Sequence, residues 1–163
     1  MFIDCTIVGI PNALGIEAAI HIIETTNVST LVVDAKNLKL IMKEWEVEHM
    51  RNLDVLICTD KVFDETKEEI ENLEMEVFTV DQLAHIGKHA KEKELEETKE
   101  CGPDSIDIIC CTSGSTGKPK GVMITHWNII SSFAAIEERG LTFTHEDVAI
   151  SYLPLSHLFE HLV

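Results

Sequence analysis

An α/β fold is what this sequence predicts: a mostly parallel sheet with helices on both faces. Two observations carry the expectation. Short apolar, β-branched runs alternate with stretches of helical periodicity, which implies crossover connections between parallel strands. A glycine-rich loop also follows directly on one of the apolar runs. Ligands of such folds bind there, beyond the carboxyl ends of strands.

The elements follow in order. Thr6-Ile7-Val8-Gly9-Ile10 predicts the first strand, and residues 15–25 a helix with Ile16, Ala19, Ile20 and Ile23 at helical spacing. Residues 30–33 form a short β-branched run bounded by Asp34, residues 38–50 a helix, and residues 54–58 a buried strand. A helix over 65–73 and a strand over 76–80 come next, and then a longer helix with Asp81 as its N-cap. The apolar, β-branched run 106–111 predicts another buried strand. Past the loop, Val122-Met123-Ile124 is short and extended, Thr125 caps a helix to about 138, and 148–153 is the last strand.

Composition excludes several functions. The 163 residues suit one domain with a real core. Thirteen Lys and Arg face 29 Asp and Glu, a formal net charge of -16, which repels nucleic-acid phosphates and anionic lipid surfaces. Half of that charge sits in residues 64–100, where 13 acids face five lysines among regularly spaced apolar residues, the pattern of wet helix faces. Five cysteines without a C-x-x-C pair argue against a disulfide framework or a zinc ribbon, and read as reduced thiols inside a cell. The sequon Asn27-Val28-Ser29 is the one feature favouring secretion. No apolar stretch reaches the roughly 18 residues of a membrane span, and the start lacks the form of a signal peptide.

The chemistry is concentrated in Thr112-Ser113-Gly114-Ser115-Thr116-Gly117-Lys118-Pro119-Lys120-Gly121. Its glycines let backbone N–H groups turn toward an anion at close range. Its hydroxyls add donors, and its lysines set charge against a polyphosphate. A Walker loop is disfavoured, because Pro119 follows Gly117-Lys118 and the chain enters a short strand rather than a helix.

This run resembles the phosphate-binding signature of the adenylate-forming superfamily, T-S-G-S/T-T-G-x-P-K-G, with Lys118 at the free position. That superfamily holds acyl-CoA synthetases, luciferases and peptide-synthetase adenylation domains. Ser151-Tyr152-Leu153-Pro154-Leu155-Ser156-His157-Leu158-Phe159-Glu160 is similar to the S-Y-L-P-L-A/S-H-x-F-E stretch of long-chain fatty-acid–CoA ligases. Val122-Met123-Ile124-Thr125-His126-Trp127-Asn128 and Leu14-Gly15-Ile16-Glu17-Ala18 also resemble segments of those ligases. The resemblance spans nearly the whole chain and is weakest over 63–101. Two departures stand out: Pro11-Asn12-Ala13 replaces a usual tyrosine and acidic residue, and His161 replaces an arginine.

The resemblance implies a large N-terminal AMP-binding domain, partly covered by residues 1–163, without the C-terminal domain. It implies a two-step reaction in which a fatty-acid carboxylate attacks ATP to give acyl-adenylate and pyrophosphate, and coenzyme A then displaces AMP. Thr112, Ser113, Gly114, Ser115, Thr116 and Gly117 would hold the β- and γ-phosphates, and Lys120 would add positive charge. Mg2+ would bridge the phosphates, with its protein ligand elsewhere. His157 and Phe159 would lie along the acyl or adenylate pocket, and Lys118 would be solvated. Such ligases associate with intracellular membranes, the endoplasmic reticulum or the mitochondrial outer membrane. Any attachment here would belong to segments outside this chain.

The Y-G-x-S/T-E adenine motif, the T-G-D ribose motif, the hinge arginine and the C-terminal catalytic lysine are all missing from these residues. The expectation is therefore a fragment that neither forms acyl-adenylate nor binds ATP tightly. A truncated, inactive isoform or interaction protein is the alternative. A lesser one is a zinc hydrolase, since His157-Leu158-Phe159-Glu160-His161 matches H-x-x-E-H, in which Glu160 would act as base. His85 and His89, four apart on a predicted helix, read as solvated side chains.

Overall fold

The computed structural model describes residues 5–44, 52–60, 75–90, 101–112, 117–140, 144–148, 150–154, 156–158 and 160. The expected helix over 65–73 and the end of the one expected over 38–50 lie outside them. The chain divides into two compact units, Met1–Ala13 with Thr98–Val163, and Leu14–Glu97.

In the second unit, helix α1 (Ile16–Thr26) leads to strand β2 (Thr30–Val33), helix α2 (Ala35–Lys43), strands β3 (Val55–Cys58) and β4 (Glu76–Thr79), and helix α3 (Val80–His89). The three strands are all parallel, in the order β2-β3-β4, with Leu31 beside Leu56 and Leu56 beside Val77. Along β2 burial alternates, so Leu31 and Val33 enter the core while Thr30 and Val32 face out. Leu38, Leu56 and Cys58 are at most 1% exposed, and Ala19, Ile22, Ile23 and Ile41 complete an apolar core.

Caps set the helix limits. Asp34 accepts the backbone N–H of Asn37 at 2.9 Å, so α2 starts three residues before the expected Leu38. The cap of α3 is Thr79, not Asp81. The Thr79 hydroxyl accepts from Gln82 N at 3.2 Å, and the Gln82 side chain accepts from Thr79 N at 2.7 Å, a reciprocal capping box. Asp81 falls in the first turn, where a carboxylate suits the helix dipole. Asn27, the sequon asparagine, closes α1 in the left-handed conformation (φ 55°), and its side chain accepts a hydrogen bond from Asn52.

The first unit holds strand β1 (Ile7–Gly9), strands β5 (Ile106–Thr112) and β6 (Lys120–Thr125), and helix α4 (His126–Glu138). Its sheet runs β1-β5-β6, parallel across β1/β5 and antiparallel across β5/β6. Three of the four pairings among the described residues are thus parallel. Thr125 caps α4 as expected, again in a capping box, here with Asn128. The next two N–H groups, of His126 and Trp127, donate to the carbonyls of Ser105 and Pro103. The strand expected over 148–153 does not form among its described residues: Val148, Ile150 and Tyr152 are 94%, 83% and 72% exposed and meet no partner strand. Among the described residues no helix is long and apolar enough to cross a membrane.

Candidate functional site: the hairpin loop at the end of β5

β5 is the central strand of its sheet, and its residues explain why the loop starts where it does. Ile108 and Cys110 are buried, and Thr112 is exposed at the carboxyl end. β6 returns antiparallel with Lys120 opposite Thr112, Gly121 opposite Cys111 and Val122 opposite Cys110. The Thr112 hydroxyl also donates to the Lys120 carbonyl at 3.4 Å. β5 and β6 therefore form a hairpin, and their pairing brings together the two ends of the sequence that connects them. The chain leaves the loop into a strand, as the sequence indicated against a Walker loop. The antiparallel return brings Lys120 beside the mouth of the loop.

Of the expected phosphate-binding residues, Thr112, Gly117 and Lys120 are described, and Ser113, Gly114, Ser115 and Thr116 lie outside the described residues. Gly117 has φ +90°, and none of the described residues stands within 4 Å of where its Cβ would be. Only the backbone conformation demands glycine there, and the space beside it is open. Lys118 and Lys120 are both exposed. Thr112, Gly117 and Lys120 fit a polyanion by charge and by open access.

Residues 154–160 come to the same end of this sheet. Gly9 ends β1 opposite Cys110, two residues before Thr112. A Cβ on Gly9 would lie 2.9 Å from both Cα and Cβ of Ser156. The segment bearing His157 thus rests on the carboxyl end of β1, next to the strand that feeds the loop. Sequence reasoning missed this role of Gly9; the available signal was a glycine inside a strand, which marks close backbone approach. Glu160, which the sequence offered as the base of a zinc motif, is buried and accepts the Leu153 backbone N–H at 3.2 Å. The N–H of His157 donates to the Pro154 carbonyl at 2.8 Å, and its side chain is exposed. Phe159 and His161 lie outside the described residues.

This geometry bears on the zinc alternative. Glu160 is engaged with backbone, and among the described residues no cluster of three metal-ligating side chains occurs. Burial pushes the Cys110 thiol above its ordinary range, and burial followed by the charge of Cys110 does the same to Cys111. At the opposite end of β5, His126 Nδ1 stands 3.5 Å from the Asp107 carboxylate.

A family model described as AMP-binding enzyme matches residues 1–163. The chain belongs to that family. Rat long-chain-fatty-acid–CoA ligase 5 is 34% identical to this AMP-binding chain over 156 residues, 93% of the chain and 22% of the relative. Human long-chain-fatty-acid–CoA ligase 1 is 32% identical over 161 residues, again 22% of its length. The chain thus spans about a fifth of the curated relatives it matches. Among solved structures, the A-PCP didomain of carboxylic acid reductase from Segniliparus rugosus, a complex with AMP, aligns at TM-score 0.70 and 21% identity. That alignment covers 96% of this chain and 23% of the other. At that identity it shows the adenylation-domain fold alone.

Proposed function

We propose that this AMP-binding chain supplies the phosphate-binding hairpin of an ATP-dependent long-chain fatty-acid–CoA ligase. The observation that carries the proposal is the β5–β6 hairpin, which closes a glycine- and hydroxyl-rich loop with Lys120 paired to Thr112 at its mouth. The likeness to long-chain-fatty-acid–CoA ligases supports the substrate class.

In the reaction proposed, a carboxylate oxygen of the fatty acid bonds to the α-phosphorus of ATP while the bond to the β-phosphate oxygen breaks. The coenzyme A thiol then bonds to the acyl carbon, and AMP leaves. The work assigned to this chain is electrostatic. Backbone N–H groups of residues 112–117 and the Lys120 ammonium hold the phosphates and offset the charge that builds on the departing pyrophosphate. Preorganisation matters because the strand pairing fixes both ends of the loop before substrate arrives. Mg2+, when bound, supplies further charge neutralisation on the phosphates, and Thr112 is the described loop hydroxyl nearest the strand end. His157, on the segment against Gly9, is assigned to the wall of the acyl or adenylate pocket, together with Phe159. The setting assigned is intracellular and membrane-associated in the complete ligase.

By itself the chain is assigned no turnover, since these 163 residues lack the adenine, ribose and hinge motifs of the family. The test is a thioester assay with ATP, Mg2+, coenzyme A and a long-chain fatty acid, run on this chain and on the complete polypeptide that contains it. Activity in the complete polypeptide and none in the 163-residue chain is the expected result. AMP formation by the short chain would refute its inactivity, and silence in both would refute the ligase assignment.

A further inference from the structure

We propose that His85 and His89 on α3 form a two-nitrogen docking site for a divalent first-row transition ion of the class that includes Cu2+, Ni2+ and Zn2+. The two residues lie one helical turn apart on one face of α3, and both are exposed. Their rings meet at a centroid separation of 4.7 Å and an interplanar angle of 63°. With metal–nitrogen bonds of about 2.0–2.1 Å, an ion sits roughly 3.2 Å from each imidazole centroid, so a 90° to 109° bite places the centroids about 4.5–5.2 Å apart. The observed separation falls inside that window; the rings meet edge to face, so chelation turns the two exposed side chains about χ1 and χ2 while the helix backbone stays in place.

The surroundings favour a cation. His89 ends the helix, where the carbonyl dipoles are negative, and Asp81 stands one turn before His85 on the same face. Lys88, in the same last turn, is the opposing charge. The chain as a whole carries -16, which raises the local concentration of cations. The Thr79–Gln82 capping box holds the helix formed, so little ordering is left for the ion to bring about. No third ligand joins the pair among the described residues. In the site proposed, water fills the remaining coordination positions and the ion is exchangeable. The order of divalent affinities makes Cu2+ the tightest of the class.

The test uses the intact 163-residue chain and Cu2+ alone, followed by imidazole NMR signals. Substoichiometric Cu2+ is expected to broaden the His85 and His89 resonances together, before those of His21, His126 or His145. Zn2+ and Ni2+ bind the same pair more weakly. His85→Gln or His89→Gln, both at exposed helical positions, weakens binding about tenfold or more through loss of one chelating arm. Broadening of all histidines alike, or a Gln variant that binds within about twofold of the parent, overturns the proposal.

Discussion

Lys118 and Lys120 are close in sequence and equally exposed, yet only Lys120 is held in register by β6, opposite Thr112. In the complete polypeptide, under the ligase function proposed above, Lys120→Ala is expected to slow pyrophosphate release about a hundredfold, the usual effect of removing one preorganised charge partner. Lys118→Ala should change it less than about threefold. An equal loss in both variants would remove the special role of Lys120. Gly9 is a packing position: Gly9→Ala drives a methyl against the Ser156 backbone and should cost about 1–3 kcal/mol, read from denaturant unfolding. The thiols add a pH dependence. Cys110 and Cys111 are raised by burial, so in the native chain iodoacetamide should modify exposed Cys5 first and reach these two only at more alkaline pH. Because unfolding returns the thiols to their ordinary value near 9.0, their contribution to stability is present below that pH and declines as pH rises through and beyond it. The place of the loop was legible because a glycine- and hydroxyl-rich run interrupts two apolar, β-branched runs. The partners of Gly9 and Glu160 were not, because they lie far along the chain or are backbone groups.

At the scale of elements, caps decide more than periodicity. Asp34 holds the start of α2 by accepting the Asn37 backbone N–H and side-chain amide, and these bonds, the backbone one foremost, hold its carboxyl below the usual value of 3.8. Asp34→Ala should therefore cost about 1 kcal/mol near neutral pH. That contribution is present above the ordinary carboxylate value and is lost as pH falls through the lower folded one, so wild type and variant should converge in strongly acidic thermal melts. The expected strand and helix order was legible from alternating runs, and every expected strand but one forms where the sequence placed it. The exception, 148–153, has the β-branched and aromatic character of a strand, but Val148, Ile150 and Tyr152 find no neighbour to pair with. A strand is stabilised by its partners, and composition does not supply them.

For the whole molecule, surface apolar character sets the expected behaviour in solution. In the first unit, Met123, Trp127 and Ile130 are each more than half exposed, alongside Val148, Ile150 and Tyr152. The isolated chain should bind a hydrophobic dye in its native state and self-associate. The net charge of -16 opposes that association, so added salt should increase light scattering by screening it. Scattering that is unchanged or reduced by salt would contradict this balance.

By itself the sequence determined the α/β class, the position of the glycine-rich loop between two strands, the family, and the helix that Thr125 begins. Each of these depends on local periodicity, capping or a contiguous motif, which neighbouring residues encode. Tertiary structure alone decided that the strands divide between two three-stranded sheets. It also decided that Lys120 returns antiparallel beside Thr112, and that Gly9 makes room for Ser156 at the end of the sheet that carries the loop. Those facts depend on which distant segments pair. Pairing is set by the summed burial and hydrogen bonding of whole strands, and no short stretch of sequence contains it.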